Sequence, residues 1–500
     1  MAREIYSRNW DRMTFEEQRE YRDRKLSWFV RSNLYPYSPF YRKVFDEAKV
    51  APEDIRHVED LRRLPFTYKA DIAPAADDAY RYQKFVLKPD EKSVEQLSPR
   101  GSYTRMRLDR ILKGQDYVNN ELRCEYAPIH VQFTTGRTGQ PTPIMYARSD
   151  VDRMAEAGKR IIELAGFGKE LDCKDAVILN AMPFAPHLGF WMVAEGLQRA
   201  GLLSLHAGGG RVLGTQRIIG AVQSMKATGI IGMPGYVYHT LRTASADGAD
   251  FSSLRLLILA GERVPAGMKQ SLSQLLEKLG ASDFYIVTTM GFTEGRKGYS
   301  ECVPETDTGY HLYPDMDFIE LIDPDSEEPV GEGEGGELVY TCLDGRGTCV
   351  IRFRTGDFVK GGIVYEPCPS CGRTVPRLGA DIRRTGEVKG FSLTKLKGTL
   401  VDQGEFFSVL SAEKGVKEWQ VEIGKAGGDP FEMDVLDVYA TLAEGADEES
   451  VMANIDASLL AATEVKPNNI VFLPLEELVD RLRVKGGMKE LHVVDTRPEL

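Results

Sequence analysis

The segment TTGRTGQPT, residues 134–142, sets four threonines and two glycines around one arginine. Neither a helix nor a packed strand favours that composition. Its hydroxyls and exposed backbone N–H groups suit a polyphosphate, because glycine lets the backbone approach an anion and small side chains leave the way open. A surface loop has the same composition, and the GK[ST] ending of a Walker motif is missing. Three more stretches place a carboxylate after an apolar run: LAGERV (259–264), MGFTEG (290–295) and FRTGD (353–357). Lys489 follows a glycine pair near the end of the chain. Singly, Asp357 reads as a turn aspartate, Glu294 as a solvated loop carboxylate and Lys489 as a surface lysine. Cys368 and Cys371 stand at C-x2-C spacing on a Pro-Ser connector, the knuckle that presents two thiolates to one tetrahedral metal. Upstream, Cys302 and His311 stand at C-x8-H spacing.

These residues need elements to position them. From about 127 to 300, short apolar runs (DAVILNAMPF, GIIGMPG, LRLLILAG, DFYIVTTMG) alternate with amphipathic segments such as RSDVDRMAEAGKRIIELAG and VPAGMKQSLSQLLEKLG. That alternation predicts parallel sheets covered by helices on both faces, with ligands at the carboxyl ends of the strands. Residues 1–70 read as helical, with Thr14 as an N-cap. Residues 309–365 carry Pro-Asp and Gly-Glu turns and predict a β subdomain. Beyond about 385 a smaller α+β region begins. Its basic end, DRLRVKGGMKELHVVDTRP, is broken by glycine and is expected to lie outside the core.

The chain has 500 residues, enough for two to four domains, and a net charge of -12, which repels nucleic acid and anionic lipid. No apolar run approaches the ~20 residues of a membrane span, and the charged start MAREIYSRNWDRM is no signal peptide. Seven cysteines, an odd count, argue for a reducing cytoplasm over a disulfide framework.

Phosphate-type loop, Thr-Glu, Gly-Asp and distal lysine, in that order, resemble the adenylate-forming enzymes. With SPFYRKVFDEAKVAPEDIRHVEDLRRLPFTYKADI (38–72), AGE, ECVPETDTGYHLYPD and VIRFRTGD, the sequence resembles phenylacetate–CoA ligases. These are a branch of the superfamily of acyl- and aryl-CoA synthetases, adenylation domains and luciferases. The resemblance covers roughly residues 30–385 well and the remainder loosely. It implies that Thr134, Thr135, Gly136, Thr138 and Gly139 cradle the ATP β- and γ-phosphates. Glu294 would hold Mg2+, with Thr293 beside the α-phosphate and Met290 and Gly291 in the same nucleotide-binding motif. Gly261 and Glu262 would line the adenine site, Asp357 would accept from the ribose hydroxyls, and Arg384 would follow the second sheet. Lys489 would bridge the attacking carboxylate and the α-phosphate. The physics agrees, since a carboxylate attacking a phosphorus of ATP brings two anions together and needs cations and donors around them.

The sequence departs from the family in places. Gln140 stands where the family has a lysine, and Arg137 where it has a threonine, so a guanidinium can replace the lost ammonium. The hinge is stretched in RRTGEVKGFSLTKLKGT and falls at Gly386 or Lys389. By analogy NAMPFAPHLGFW and GMPGYVYHTL line the acyl pocket, where Phe184, Pro186, His187 and Tyr236 suggest a flat apolar slot for an aromatic acid. His187 is either a polar handle for a ring substituent or a structural residue. In the resemblance, the two Cys/His segments flank the same β subdomain, which implies a structural zinc on Cys302, His311, Cys368 and Cys371. A reduced thiol pair without metal is the alternative. Cys124, Cys173, Cys342 and Cys349 read as ordinary thiols.

The expected protein is therefore α/β. Residues 1–385 form a large domain of parallel sheets wrapped by helices, with a β subdomain at about 300–385, and residues 386–500 form a small mobile α+β lid. The expected activity is ATP-dependent, AMP-forming activation of an aromatic carboxylic acid and its transfer to coenzyme A. The alternatives are an amine or carrier-protein thiol as acceptor, and a catalytically silent nucleotide-binding protein. ATP, Mg2+, coenzyme A and structural Zn2+ are the expected ligands. A cytoplasmic homodimer is expected, with no nucleic-acid or membrane partner.

Overall fold

The computed structural model describes residues 6–97, 99–134, 141–172, 174–210, 212–261, 264, 266–384, 393–396, 399–426, 434–463, 465–482 and 491–497. The chain divides into two compact units. One comprises Met1–Arg263 with Leu276–Ile382, the other Val264–Leu275 with Arg383–Leu500.

In the first unit, β1 (His130–Phe133) and β2 (Pro143–Tyr146) form an antiparallel hairpin. The apolar runs of the alternating region become β3 (Val177–Asn180), β4 (Leu203–His206), β5 (Gly229–Gly232), β6 (Leu256–Ala260) and β7 (Tyr285–Phe292). These five are parallel, in the order β4-β3-β5-β6-β7. Leu256, Leu257, Ile258 and Leu259 of β6 are all buried, as a strand covered on both faces requires. Two connecting helices, Arg148–Leu164 and Leu188–Ala200, cross at Gly158 and Gly196. A Cβ on Gly158 would lie 2.8 Å from the Gly196 Cα, so only glycine allows this approach.

The sheet does not stay parallel. After β7 the 3-10 turn Thr293–Gly295 reverses the chain into β8 (Lys297–Ser300), antiparallel to β7. The expected β subdomain then splits. Strand β9 (Tyr310–His311), together with β13 (Ile363–Val364) and β14 (Arg377–Leu378), extends the large sheet to nine strands. Only β10 (Asp317–Ile322), β11 (Gly336–Cys342), β12 (Phe353–Lys360) and β15 (Asp381–Arg384) form a separate antiparallel sheet. The turn signals marked strand ends correctly but carried no information on which sheet each strand would join.

The N-terminal region is largely helical, as expected. Thr14 caps the helix Phe15–Phe29 reciprocally with Glu17. A buried ion pair ties the start of the chain down. Arg160 donates twice to Asp315 at 2.8 Å, and Asp315 also accepts from the Ser7 N–H at 2.7 Å.

The second unit is α+β. A hairpin of β16 (Leu393–Leu396) and β17 (Thr399–Asp402) precedes β18 (Val416–Lys425), β19 (Asp434–Leu442), β20 (Asn469–Phe472) and β21 (Val493–Asp495). The last four form a sheet in the order β20-β19-β18-β21. Phe406, Val421, Ile423, Leu436, Val438, Ile455 and Leu459 form its core. The described residues of the basic C-terminal segment lie mostly outside the core, as expected, with two additions. Its first residues end the helix Leu475–Leu482, where Leu482 is buried, and β21 pairs with β18 as an edge strand.

One buried charge cluster fixes the β7–β8 turn. Arg296 sits just past it in the left-handed region, with φ of 59°. Its guanidinium pairs with Asp150 at 2.9 Å, at the start of the helix Arg148–Leu164. Asp150 also accepts from Arg153 at 2.8 Å, the Ala147 N–H at 3.0 Å and the Gly347 N–H at 2.7 Å. Burial pushes the Asp150 carboxyl up, but Arg296, Arg153 and the two N–H groups outweigh it and hold it at about 2, against an ordinary 3.8. A depressed carboxyl contributes stability above its unfolded pKa and loses it as pH falls through the folded value. Asp150→Asn is therefore expected to cost about 3–5 kcal/mol at neutral pH, shrinking by about 2 kcal/mol as the pH falls from about 4 toward 2. Denaturant unfolding at several pH values measures this; a pH-independent cost would contradict the account.

Candidate functional site

The phosphate-type loop hangs from the β1–β2 hairpin. Thr134 is buried at its base: its N–H donates to the Thr142 carbonyl at 3.1 Å, and its Oγ1 accepts from the Thr142 N–H at 3.2 Å. This reciprocal pair closes the loop at its neck. Thr135, Gly136, Arg137, Thr138, Gly139 and Gln140 lie outside the described residues. Across from the neck, the Phe133 N–H donates to the Pro186 carbonyl at 2.7 Å. The His187 ring meets the Phe133 carbonyl through Nδ1 at 3.1 Å. A carbonyl only accepts, so Nδ1 carries the proton and His187 holds the loop's stem.

Thr293 and Glu294 occupy the turn after β7, and Met290 and Gly291 the end of that strand. Glu294 is buried. Lys69 Nζ approaches its carboxylate at 4.0 Å from the TYKADI segment. Two donors fix the turn's backbone, since Tyr340 Oη and Lys297 Nζ donate to the Gly295 carbonyl at 3.2 and 3.3 Å. Lys297 is itself buried and paired with Asp317 at 3.2 Å. Burial lowers the Lys297 pKa against the pull of Asp317. Behind the turn, Arg296 donates to Cys342 Sγ at 3.2 Å, and Cys342 and Cys349 are both buried there. The sequence marked these two only as ordinary thiols.

Gly261 follows the carboxyl end of β6 with φ of 91°, while Glu262 lies outside the described residues. Asp357 lies within strand β12, not in a turn. Gly356 before it has φ of 73°, and the pairing of β11 with β12 shifts register there. The Asp357 N–H donates to Thr355 Oγ1 at 3.1 Å. Such a bulge re-aims a side chain, and only glycine adopts that backbone cheaply. Arg384 ends β15. Gly386, Lys389 and Lys489 lie outside the described residues.

Phe184 and Tyr236 flank a glycine run that the sequence reading passed over, Gly208–Gly210. A Cβ on Gly208 would lie 3.2 Å from Phe184 Cβ, and one on Gly210 would lie 2.8 Å from the Tyr236 ring. Phe184 is largely exposed and stacks edge-on against Phe190 at 5.0 Å. A separate cavity of about 20 Å3, room for about one water, is lined by Ile231, Ile258, Ala260 and Thr289. None of Phe184, Pro186, His187 or Tyr236 lines it.

The four metal-type residues come together. Their ligand atoms all lie within 4.8 Å of one another. Cys302 Sγ lies 3.6 Å from Cys368 Sγ, and Cys371 Sγ lies 3.3 Å from His311 Nε2. The knuckle is a tight turn in which the Gly372 N–H donates to the Cys368 carbonyl at 2.9 Å. Strand β9 presents His311, and Cys302 follows β8. Three thiols and one imidazole nitrogen converging on a buried point fit a tetrahedral Cys3His zinc.

Comparison with known proteins agrees with this geometry. The chain is 27% identical over 388 residues to the phenylacetate–coenzyme A ligase of Thermus thermophilus, covering 77% of this chain and 74% of the relative. To the ligase of the same name from Escherichia coli it is 25% identical over 437 residues, covering 86% and 83%. Among solved structures, a 2-hydroxyisobutyryl-CoA ligase in the postadenylation state has the same fold, with a TM-score of 0.74 at 21% identity over 99% of this chain and 93% of that one. The AMP-binding enzyme family matches residues 66–347, which contain the loop, the Thr-Glu turn and Lys69. That match spans more than half of the chain, and the chain belongs to the AMP-binding enzyme family.

Proposed function

We propose that this protein is an ATP-dependent, AMP-forming ligase that activates an aromatic carboxylic acid as its acyl adenylate and passes it to coenzyme A. The observation that carries the reading is the family match over a segment whose loop neck and Thr-Glu turn end on neighbouring elements of one unit, joined to phenylacetate–CoA ligases as relatives. The relatives favour an aromatic acid, and the exposed Phe184 ring beside Gly208–Gly210 gives such an acid a flat surface to meet.

In this reading the loop from Thr134 to Gly139 binds the β- and γ-phosphates, with Arg137 adding a fixed guanidinium. Gly261 and Glu262 border the adenine, Asp357 accepts from the ribose hydroxyls, and Arg384 follows on the second sheet. Thr293 lies beside the α-phosphate. Glu294 would hold Mg2+, which neutralises charge building on the phosphoryl oxygens. Lys69, beside Glu294, offers an ammonium that the loop lacks at Gln140. The acid's carboxylate oxygen attacks the α-phosphorus, the bond to the bridging oxygen breaks and pyrophosphate leaves. Lys489 would steady the carboxylate and the α-phosphate in that step. The thiolate of coenzyme A then attacks the acyl carbon, and AMP leaves with the oxygen that the acid brought. Two chemistries at one nucleotide suit a C-terminal lid, residues 386–500, swinging at Gly386 or Lys389.

Among the described residues no helix is long and apolar enough to cross a membrane. The free thiols among the described cysteines support reducing, cytoplasmic surroundings.

Pyrophosphate release is expected to require ATP, Mg2+ and an aromatic acid, with a CoA thioester formed once CoA is added. Glu294→Gln is expected to lower the rate on the order of 10²–10³-fold. Acid-dependent release that leaves CoA unacylated would move the acceptor to an amine or a carrier-protein thiol. For the Cys302, His311, Cys368 and Cys371 set, metal analysis of protein purified without added zinc is expected to find about one zinc per chain, lost in Cys368→Ser. Wild-type protein with well under about half an equivalent would overturn the zinc assignment and leave a reduced thiol cluster.

A further inference from the structure

A cleft of about 230 Å3 lies between the helix Phe15–Phe29, the 3-10 segment Val58–Arg63, β10 and the strand end at Ile363. It shares no residue with the nucleotide and acyl sites described above. Its size is near the lower end of small-molecule pockets, about 300–1,000 Å3. Phe318, with Phe15 and Tyr365 beside it, supplies apolar surface, and three arginines, Arg19, Arg22 and Arg62, border the cleft.

Arg22 is the informative one. Its side chain is only 12% exposed, and the guanidinium lies over the Phe318 ring, 4.8 Å from the centroid. Its Nε is buried with no hydrogen-bond partner. Asp23, the acid nearest to it, stands at 4.0 Å and is already engaged by the Val58 N–H at 3.1 Å and His57 Nδ1 at 3.0 Å. The glutamates bordering the cleft are engaged as well. Glu59 pairs with Arg19 at 3.6 Å, Glu320 with Arg352 at 3.4 Å, and Glu332 accepts the Tyr365 N–H at 3.0 Å. A desolvated guanidinium short of acceptors is costly, and burial accordingly lowers its pKa. The Nε is sealed from the cleft, so the two Nη groups, carried on a guanidinium stacked on an aromatic ring, are the donors that can hold a planar carboxylate with two parallel hydrogen bonds.

We propose that this cleft is a second ligand site, which takes a small organic carboxylate with an apolar body. The head would meet Arg22, with Arg62 at the exposed rim, and the body would pack on Phe318 and Tyr365. The inference does not depend on the ligase reading. Binding of benzoate to the full chain without nucleotide, followed by ligand-observed NMR, tests it. Saturable binding is expected, weakened at least about tenfold by Arg22→Gln, the worth of one charge-assisted contact. Arg62→Gln, on the rim, is expected to weaken it several-fold with an unchanged melting temperature. A component of binding that neither arginine substitution moves belongs to the acyl slot, which takes the same class of acid. Absence of saturable binding, or binding that neither arginine substitution changes, would overturn the proposal. If Arg22→Gln lowers the melting temperature sharply, the Arg62→Gln result decides.

Discussion

The pairing of Arg296 with Asp150 is the constraint on which the rest of the site geometry depends. A buried charge is costly unless opposite charges and donors surround it, and Asp150 gathers two arginines and two backbone N–H groups to itself. Those partners come from the helix Arg148–Leu164, the segment after the Thr-Glu turn and the loop at Gly347. A single side chain thereby locks three distant stretches of sequence in register. Glu294, two residues before Arg296, inherits its position from that lock, and the donors Tyr340 and Lys297 on the Gly295 carbonyl complete it.

The same division of labour recurs elsewhere in the first unit. Rigid, buried polar contacts hold the backbone, while Thr293 and Glu294 sit in a turn and Asp357 at a strand bulge. The Thr134–Thr142 pair closes the neck of the phosphate-type loop, and His187 spends its Nδ1 proton on the loop's stem. The Cys/His cluster joins β9 to the knuckle at Cys368 and Cys371, the two ends of the segment that was expected to be one subdomain. A metal there would do for that segment what Arg296 does for the turn.

Much of this was legible in the sequence because it is local. Strands β3, β5, β6 and β7 follow from short apolar runs, and the stretches proposed for ATP, TTGRTG, Thr-Glu and Gly-Asp, are each a few consecutive residues. The metal set is two local spacings that the fold brings together. What was not legible depends on tertiary pairing. Lys69 reaches Glu294 only because the N-terminal segment returns to the β7–β8 turn, and nothing in TYKADI announces it. Asp150 looked like one more acid in an amphipathic helix. Asp357 read as a turn residue because its glycine is the signature of a turn and of a strand bulge alike. The nine-stranded sheet recruits β9, β13 and β14 through pairings that composition does not encode, and β21, at three residues, is too short to show a strand pattern.

In the proposed reaction the acid's own oxygen becomes bonded to the α-phosphorus. Tracing oxygen-18 from a labelled aromatic carboxylate in a reaction with ATP and CoA tests this directly. The predicted result is one labelled oxygen in AMP for each thioester formed. Unlabelled AMP, or label appearing in phosphate with ADP as the other product, would contradict it.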